Sequence, residues 1–195
     1  TMLAKHLAQT FLNVCGWTFK NNMPADIKQC VMIAAPHTSN WDAPYTRFAF
    51  VLMGIPVKIT IKDSWMRFPY GPMIRFLGGI GINRRPRKEG EERESMVQLM
   101  ANLFKDNENL VMLITPEGTR SLRTQWKTGF YHIAVLANVP IALGYCDYAK
   151  KEVGVAKLVY PSGDMKKDMT EIMDFYKNIT PHTPQNFSID VDYDA

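Results

Sequence analysis

Cys30-Val31-Met32-Ile33-Ala34-Ala35-Pro36-His37-Thr38-Ser39-Asn40-Trp41-Asp42 is the stretch that decides the fold. Its first six residues are an unbroken apolar run, the pattern of a buried strand. Pro36 ends the run and biases Ala35 toward extended backbone. From Asp42 to about Met53 an amphipathic pattern predicts a helix. A histidine and a carboxylate thus share a strand-to-helix turn, where α/β proteins place chemistry. Four residues separate the two. On one continuous helix they would diverge by roughly 140°, at about 100° per residue. With His37 on the turn and Asp42 in or just before the first helical turn, the carboxylate folds back onto the imidazole. It then accepts the proton of one ring nitrogen and leaves the other free as a base.

The same residues admit a structural reading. Ser39-Asn40-Trp41-Asp42 fits the S-x-x-D capping box, in which Asp42 only satisfies N–H groups at a helix start. Pro44 suits a helix that begins slightly later, with Asp42 itself as the cap. The turn alone does not choose between these roles.

With 195 residues the chain has the length of one domain with a sizeable core. Hydrophobic residues make up 46% and charged residues 22%, ordinary values for a globular protein. The net charge of +4 favours an anionic partner without naming it. Cys15, Cys30 and Cys146 are widely spaced and include no C-x-x-C pair. That argues against zinc and disulfide frameworks and for a reducing compartment. No run approaches the ~18 apolar residues of a membrane span. No secretory signal is evident, and a start at Thr1 leaves room for an upstream segment.

Along the chain, residues 2–20 carry Leu3, Leu7, Phe11 and Val14 at helical spacing, widened by Trp17 and Phe19. Such a helix either packs on the core or lies in a membrane interface. Residues 57–62 alternate as a half-buried strand, and 62–72 read as a short helix broken by prolines. Ile80 and Ile82 suggest a short glycine-rich strand, followed by a basic cluster of Arg84, Arg85, Arg87 and Lys88. Residues 89–106 predict a helix with a stripe of Met96, Leu99, Met100 and Leu103. A buried strand at 110–114 delivers a second turn, Thr115 to Ser121. A helix runs through Ala137, an apolar strand spans 140–146, and 153–160 reads as an edge strand. Ser162 or Asp164 caps a last helix, and the tail after Thr180 reads as extended and loosely anchored. Strands alternating with helices argue for an α/β fold.

Three blocks now stand in order: His37-x-x-x-x-Asp42, Gly79 to Arg84, and Pro116-Glu117-Gly118-Thr119-Arg120-Ser121. Together they resemble the conserved blocks of the glycerolipid acyltransferases of the PlsC type, lysophosphatidate acyltransferases among them. Val139-Pro140-Ile141 resembles the fourth block. Lys62, Pro69 and Gly71 fit the approach to the second, and Lys127-x-Gly129 the segment after the third. Pro36 stands where that family often has Asn, Asn83 where it often has Asp, and Thr115 where it often has an aromatic or aliphatic residue. The resemblance implies a mixed sheet flanked by helices, in one glycerol-3-phosphate acyltransferase-like domain over 23–180. Residues 1–22 would form an amphipathic interface element and 181–195 the tail.

The resemblance implies direct acyl transfer, without an acyl-enzyme, from acyl-CoA or acyl carrier protein to a lysophospholipid hydroxyl. The acceptor would be lysophosphatidate, with no metal or bound cofactor. Catalysis falls to His37 as base and Asp42 as its orienting partner. Gly118 allows backbone approach, Thr119 offers a hydroxyl, and Arg84 and Arg120 offer planar forks to a phosphate. Glu117 would hold an arginine or bind a glycerol hydroxyl. Ser39 lies in no G-x-S-x-G elbow and ranks as a capping or backbone-bonding residue. The expected setting is cytoplasmic, peripheral on the inner face of a membrane, with no nucleic-acid partner. The rivals are a non-phosphorylated lyso-aminolipid acceptor, a lipid-binding module without catalysis, and a hydrolase in which water replaces the acceptor.

Overall fold

The computed structural model describes residues 2–54, 57–62, 79–82 and 95–190. The expected short helix over 62–72, Asn83, the basic cluster with Arg84, and the start of the 89–106 helix lie outside the described residues.

Seven strands form one sheet: β1 (Thr18–Asn21), β2 (Gln29–Ala34), β3 (Val57–Lys62), β4 (Gly79–Ile82), β5 (Leu110–Ile114), β6 (Ile141–Asp147) and β7 (Glu152–Val159). Their spatial order is β1-β7-β6-β2-β5-β3-β4. The five strands from β6 to β4 are mutually parallel, whereas β7 runs antiparallel to β6 and carries β1 parallel to itself. The expected mixed α/β fold is therefore present.

Strand β2 sits mid-sheet, which explains its unbroken apolar run. Val31 and Ile33 point into a core built with Phe104, Phe130, Ile133 and Tyr176. Cys30 and Met32 point the other way, toward Phe50 and Met23. A strand buried on both faces has no polar side to show. Helices α3 (Met96–Lys105), α4 (Gly129–Ala137) and α5 (Met165–Tyr176) supply the first core, and α2 (Asp42–Met53) the second. Ser95 caps α3 and Asp164 caps α5, each accepting an N–H from the first turn. Tyr176 is fully buried, and its hydroxyl donates to the Gly144 carbonyl at 2.8 Å. It thereby ties α5 to β6 near the carboxyl end of the sheet.

Three expectations need correction. The first helix, α1, spans Met2–Val14 and stops six residues early. Gly16 turns the chain at φ 73, and residues 18–21 become β1. Trp17 and Phe19 had widened the apolar arc, but they belong to a turn and a strand. The strand at 152–159 is not an edge, because β1 covers it. Gly154 makes that pairing possible: a Cβ there would sit 1.6 Å from the Lys20 carbonyl oxygen. Finally, the tail is anchored as far as it is described. Phe187 and Ile189 pack on the main core, and the buried Asp190 carboxylate accepts the Trp126 N–H at 2.7 Å. Nothing in the local pattern of a Pro- and Asp-rich segment announces partners more than sixty residues away.

Asp190→Ala should leave the buried Trp126 N–H without that acceptor and cost about 1–3 kcal/mol. In a chain of this size each kcal/mol lowers Tm by about 2–4 °C. Thermal melts of the variant and wild type at one pH check this; coincident melts would refute the anchor.

Candidate active site

Parallel pairing of β2 with β5 puts Ile33 opposite Ile114. The turns that follow these strands therefore leave the same end of the sheet side by side. That end is the carboxyl end, outside which α/β sheets bind ligands.

On the first turn, His37 is half-buried and Asp42 is 5% exposed. Asp42 is the first residue of α2. Its Oδ2 lies 3.3 Å from His37 Nδ1 and accepts the N–H groups of Thr38 and Ser39, each at 3.0 Å. Its Oδ1 accepts the Tyr148 hydroxyl at 2.8 Å. Both sequence readings thus describe the same carboxylate. It satisfies the Thr38 and Ser39 N–H groups of the turn ahead of α2, whose N-cap Trp41 has no side-chain cap, and it also holds the imidazole. The Ser39 hydroxyl accepts the Trp41 N–H at 3.1 Å, a backbone bond within the turn.

Burial alone would push Asp42 up. Hydrogen bonds from His37, Ser39 and Tyr148, with the His37 charge, outweigh it and hold the carboxyl below its usual value. An ionised carboxylate only accepts, so the proton between the pair belongs on His37 Nδ1. Nε2 is then the basic nitrogen.

Glu117 approaches the same histidine from the other strand. It is 3% exposed, and its Oε1 accepts the His37 main-chain N–H at 2.8 Å. Among the described residues the Glu117 carboxylate has this main-chain partner and no ion pair to Arg120. Burial pushes the Glu117 carboxyl up to about 7, against the pull of the His37 N–H and charge.

Gly118 turns at φ 68, a backbone that favours glycine. A Cβ there would also lie 2.7 Å from Lys127 Nζ, so the lysine crosses the turn directly over Gly118. The Thr119 hydroxyl accepts the Ser121 N–H at 3.3 Å. Arg120 is exposed. The structure thus unites His37, Asp42 and Glu117, and sets Gly118, Thr119 and Arg120 on the adjoining turn. Arg84 lies outside the described residues.

Tyr148 was missed by motif reading, because it belongs to no motif and lies 106 residues from Asp42. Its position just past β6, the other neighbour of β2, is the signal that marks it. A narrow apolar cavity runs from the pair beneath α2 past Ala49, Phe50 and Met53. At about 30 Å³ it has room for little more than one water.

The sequence model of the acyltransferase family matches residues 16–142 of this chain. A 1-acyl-sn-glycerol-3-phosphate acyltransferase of Haemophilus influenzae is 27% identical over 165 residues, which is 82% of this chain. The chain spans 64% of that relative's length. The crystal structure of the 1-acyl-sn-glycerophosphate (LPA) acyltransferase, PlsC, from Thermotoga maritima matches with a TM-score of 0.58 at 15% identity. The match covers 90% of this chain and 76% of that one, and it establishes a shared fold.

Glu117 yields a stability prediction. Between pH 4.5, its ordinary value, and about 7, the folded protein keeps a proton that the unfolded chain has released. The contribution is complete below 4.5 and is lost as pH rises through about 7. Its size is on the order of 3 kcal/mol, at about 1.4 kcal/mol per pH unit. Glu117→Gln keeps an oxygen for the His37 N–H and has no charge to bury. Its Tm should therefore gain on wild type from pH 5 to pH 8. A gap that stays constant over that range would refute the raised carboxyl.

Proposed function

The chain belongs to the acyltransferase family, and from that premise we propose that it moves a fatty acyl group to the free hydroxyl of lysophosphatidate, giving phosphatidate. The donor is a thioester, acyl-CoA or acyl carrier protein. The observation that carries the reading is the His37–Asp42 pair at 3.3 Å on a turn at the carboxyl end of the sheet. The named activity of the Haemophilus relative supports the choice of acceptor.

His37 Nε2 takes the proton of the acceptor hydroxyl as its oxygen attacks the thioester carbonyl carbon. The tetrahedral intermediate collapses and the carbon–sulfur bond breaks. The leaving thiolate takes the proton back from the imidazolium, so His37 ends neutral. Asp42 holds the ring in one tautomer and offsets its transient charge. A thioester is already activated, so the step calls for no metal or cofactor. Arg120 on the second turn and Lys127 across it, with Arg84, receive the acceptor's phosphate.

The substrates are lipids, and α1 suits a peripheral site on the cytoplasmic face of a membrane. Leu3, Leu7 and Val14 share its outer face and are 70%, 61% and 82% exposed. Its inner face packs on α2 through Phe11 and Phe48, with ring centroids 4.2 Å apart. No helix among the described residues is long and apolar enough to cross a membrane.

Acyl transfer from labelled donors to a panel of lysophospholipids tests the reading. His37→Ala should lower kcat at least ~10²-fold, the usual worth of a positioned base. Asp42→Asn should also impair turnover, since an amide can hold the wrong tautomer. Arg120→Ala should raise the lysophosphatidate KM about tenfold or more, from loss of a charge-assisted contact worth roughly 1.5–3 kcal/mol. Arg120→Lys should restore only part, because an ammonium has no fork. An unaltered KM in Arg120→Ala would move the acceptor to a non-phosphorylated lyso-aminolipid, and acyl release without acceptor would make the protein a hydrolase.

Replacing Leu3, Leu7 and Val14 together by Ser should weaken co-sedimentation with anionic vesicles and leave the melt unchanged, because these side chains already face solvent. Equal co-sedimentation would place the membrane contact elsewhere.

A further inference from the structure

Behind the catalytic pair lies a second concavity that the reaction just described does not use. It is a groove of about 370 Å³, lined by Trp17, Trp41, Tyr45, Tyr148, Lys151 and His182. Its volume falls within the ~300–1,000 Å³ of small-molecule sites. Its rings are packed on one another before any ligand arrives. Trp17 stacks on Tyr45, with centroids 4.0 Å apart and planes 19° apart. Tyr148 stands edge-on to Trp17 at 4.9 Å, and His182 edge-on to Tyr148 at 5.0 Å. Trp41, just ahead of α2, is 60% exposed. Tyr148 forms the wall shared with the active site, since its hydroxyl is the one that reaches Asp42.

The groove also carries a cation, the exposed Lys151 side chain. The Lys151 carbonyl accepts the Thr18 N–H at 2.8 Å, which pins the residue to the start of β1. Its Nζ lies 3.5 Å from where a Cβ on Gly16 would stand, beside Trp17. Among the described residues no carboxylate lines the groove and none lies within ion-pair distance of Lys151. An aromatic trough with an unopposed ammonium suits a thin, weakly polar chain that carries an anion. Aromatic faces pack well against flat amides and methyl groups, whereas Lys151 would repel a cationic head group.

We propose that this groove binds the phosphopantetheine arm of the acyl donor, with its amides and gem-dimethyl group on the rings and its phosphate at Lys151. The proposal rests on the acyl-transfer reading and deepens it. Coenzyme A and acyl carrier protein carry the same arm, so the groove recognises the chemistry the two donors share. The shared Tyr148 wall sets the groove next to Asp42, so the arm would have to run from it around the pair to bring the thioester to His37 Nε2.

The test uses Lys151→Asn and Trp41→Ala, two exposed positions outside the catalytic pair. Asn tolerates the left-handed backbone that Lys151 adopts at φ 51. Each variant should raise the donor KM about tenfold with acyl-CoA and with acyl carrier protein. The kcat and the acceptor KM should stay as in wild type, and Lys151→Arg should restore the donor KM. A rise with only one donor supports the groove for that donor alone. A raised acceptor KM with an unchanged donor KM overturns the proposal and gives the groove to the acceptor; no change in either KM also overturns it. Equilibrium dialysis separates this proposal from the acyl-transfer reading, because it needs no turnover. Wild type should hold coenzyme A and phosphopantetheine about tenfold more tightly than pantetheine, and Lys151→Asn should lose that preference. If wild type transfers no acyl group to any lysophospholipid, the acyl-transfer reading fails and the dialysis still decides the groove. Equal binding by wild type and Lys151→Asn would sink it.

Discussion

Four donors converge on the Asp42 carboxylate: His37 Nδ1, the Thr38 and Ser39 N–H groups, and the Tyr148 hydroxyl. Burying a charge is costly unless it is paired and hydrogen-bonded, and here both oxygens are occupied. The same bonds fix the path of residues 37–39 and the plane of the imidazole. They also bring in β6, because Tyr148 follows that strand. The Tyr148 N–H in turn donates to the Thr180 carbonyl at 2.8 Å, so the segment after α5 joins the arrangement. Removing the Asp42 charge would loosen the turn, the ring and the end of β6 together.

His37 lies between two carboxylates held in opposite electrostatic states. Asp42 faces the ring and is kept ionised by its donors, whereas Glu117 faces the main chain and burial raises it to about 7. Environments that split two carboxyls in this way assign them different tasks. In the mechanism proposed above, Asp42 offsets the charge of the imidazolium. Glu117 braces the backbone from the next strand and carries at most part of a charge near neutrality. A second full charge there would compete with Asp42 for the same imidazole and raise the cost of burial.

The turn of His37 and Asp42 was legible because its determinants are local. An apolar run, a proline, a histidine and a carboxylate lie within thirteen residues, and backbone sterics do the rest. The turn at Pro116–Ser121 was legible for the same reason. What the sequence hid was non-local. Nothing around Glu117 announces that its acceptor oxygen meets the His37 N–H, eighty residues away. Tyr148 and Asp190 carry no motif, and only the register of β6 beside β2 and the packing of Trp126 give them partners. The end of α1 was misread because Trp17 and Phe19 keep the helical period; the left-handed Gly16 breaks it.

The hydroxyl of Thr38, on the turn of His37 and Asp42, accepts the Thr183 N–H at 3.2 Å across 145 residues of chain. Chains leave the ribosome amino end first, at about 5–20 residues per second. His37 and Asp42 therefore emerge on the order of ten seconds before the residue that buttons their turn. In the interval the sheet lacks β6, so Asp42 has no Tyr148 and β2 has an open edge. The oily face of α1 is already outside, however. A nascent chain of this protein presents the apolar face of α1 before the turn of His37 and Asp42 has its last partner.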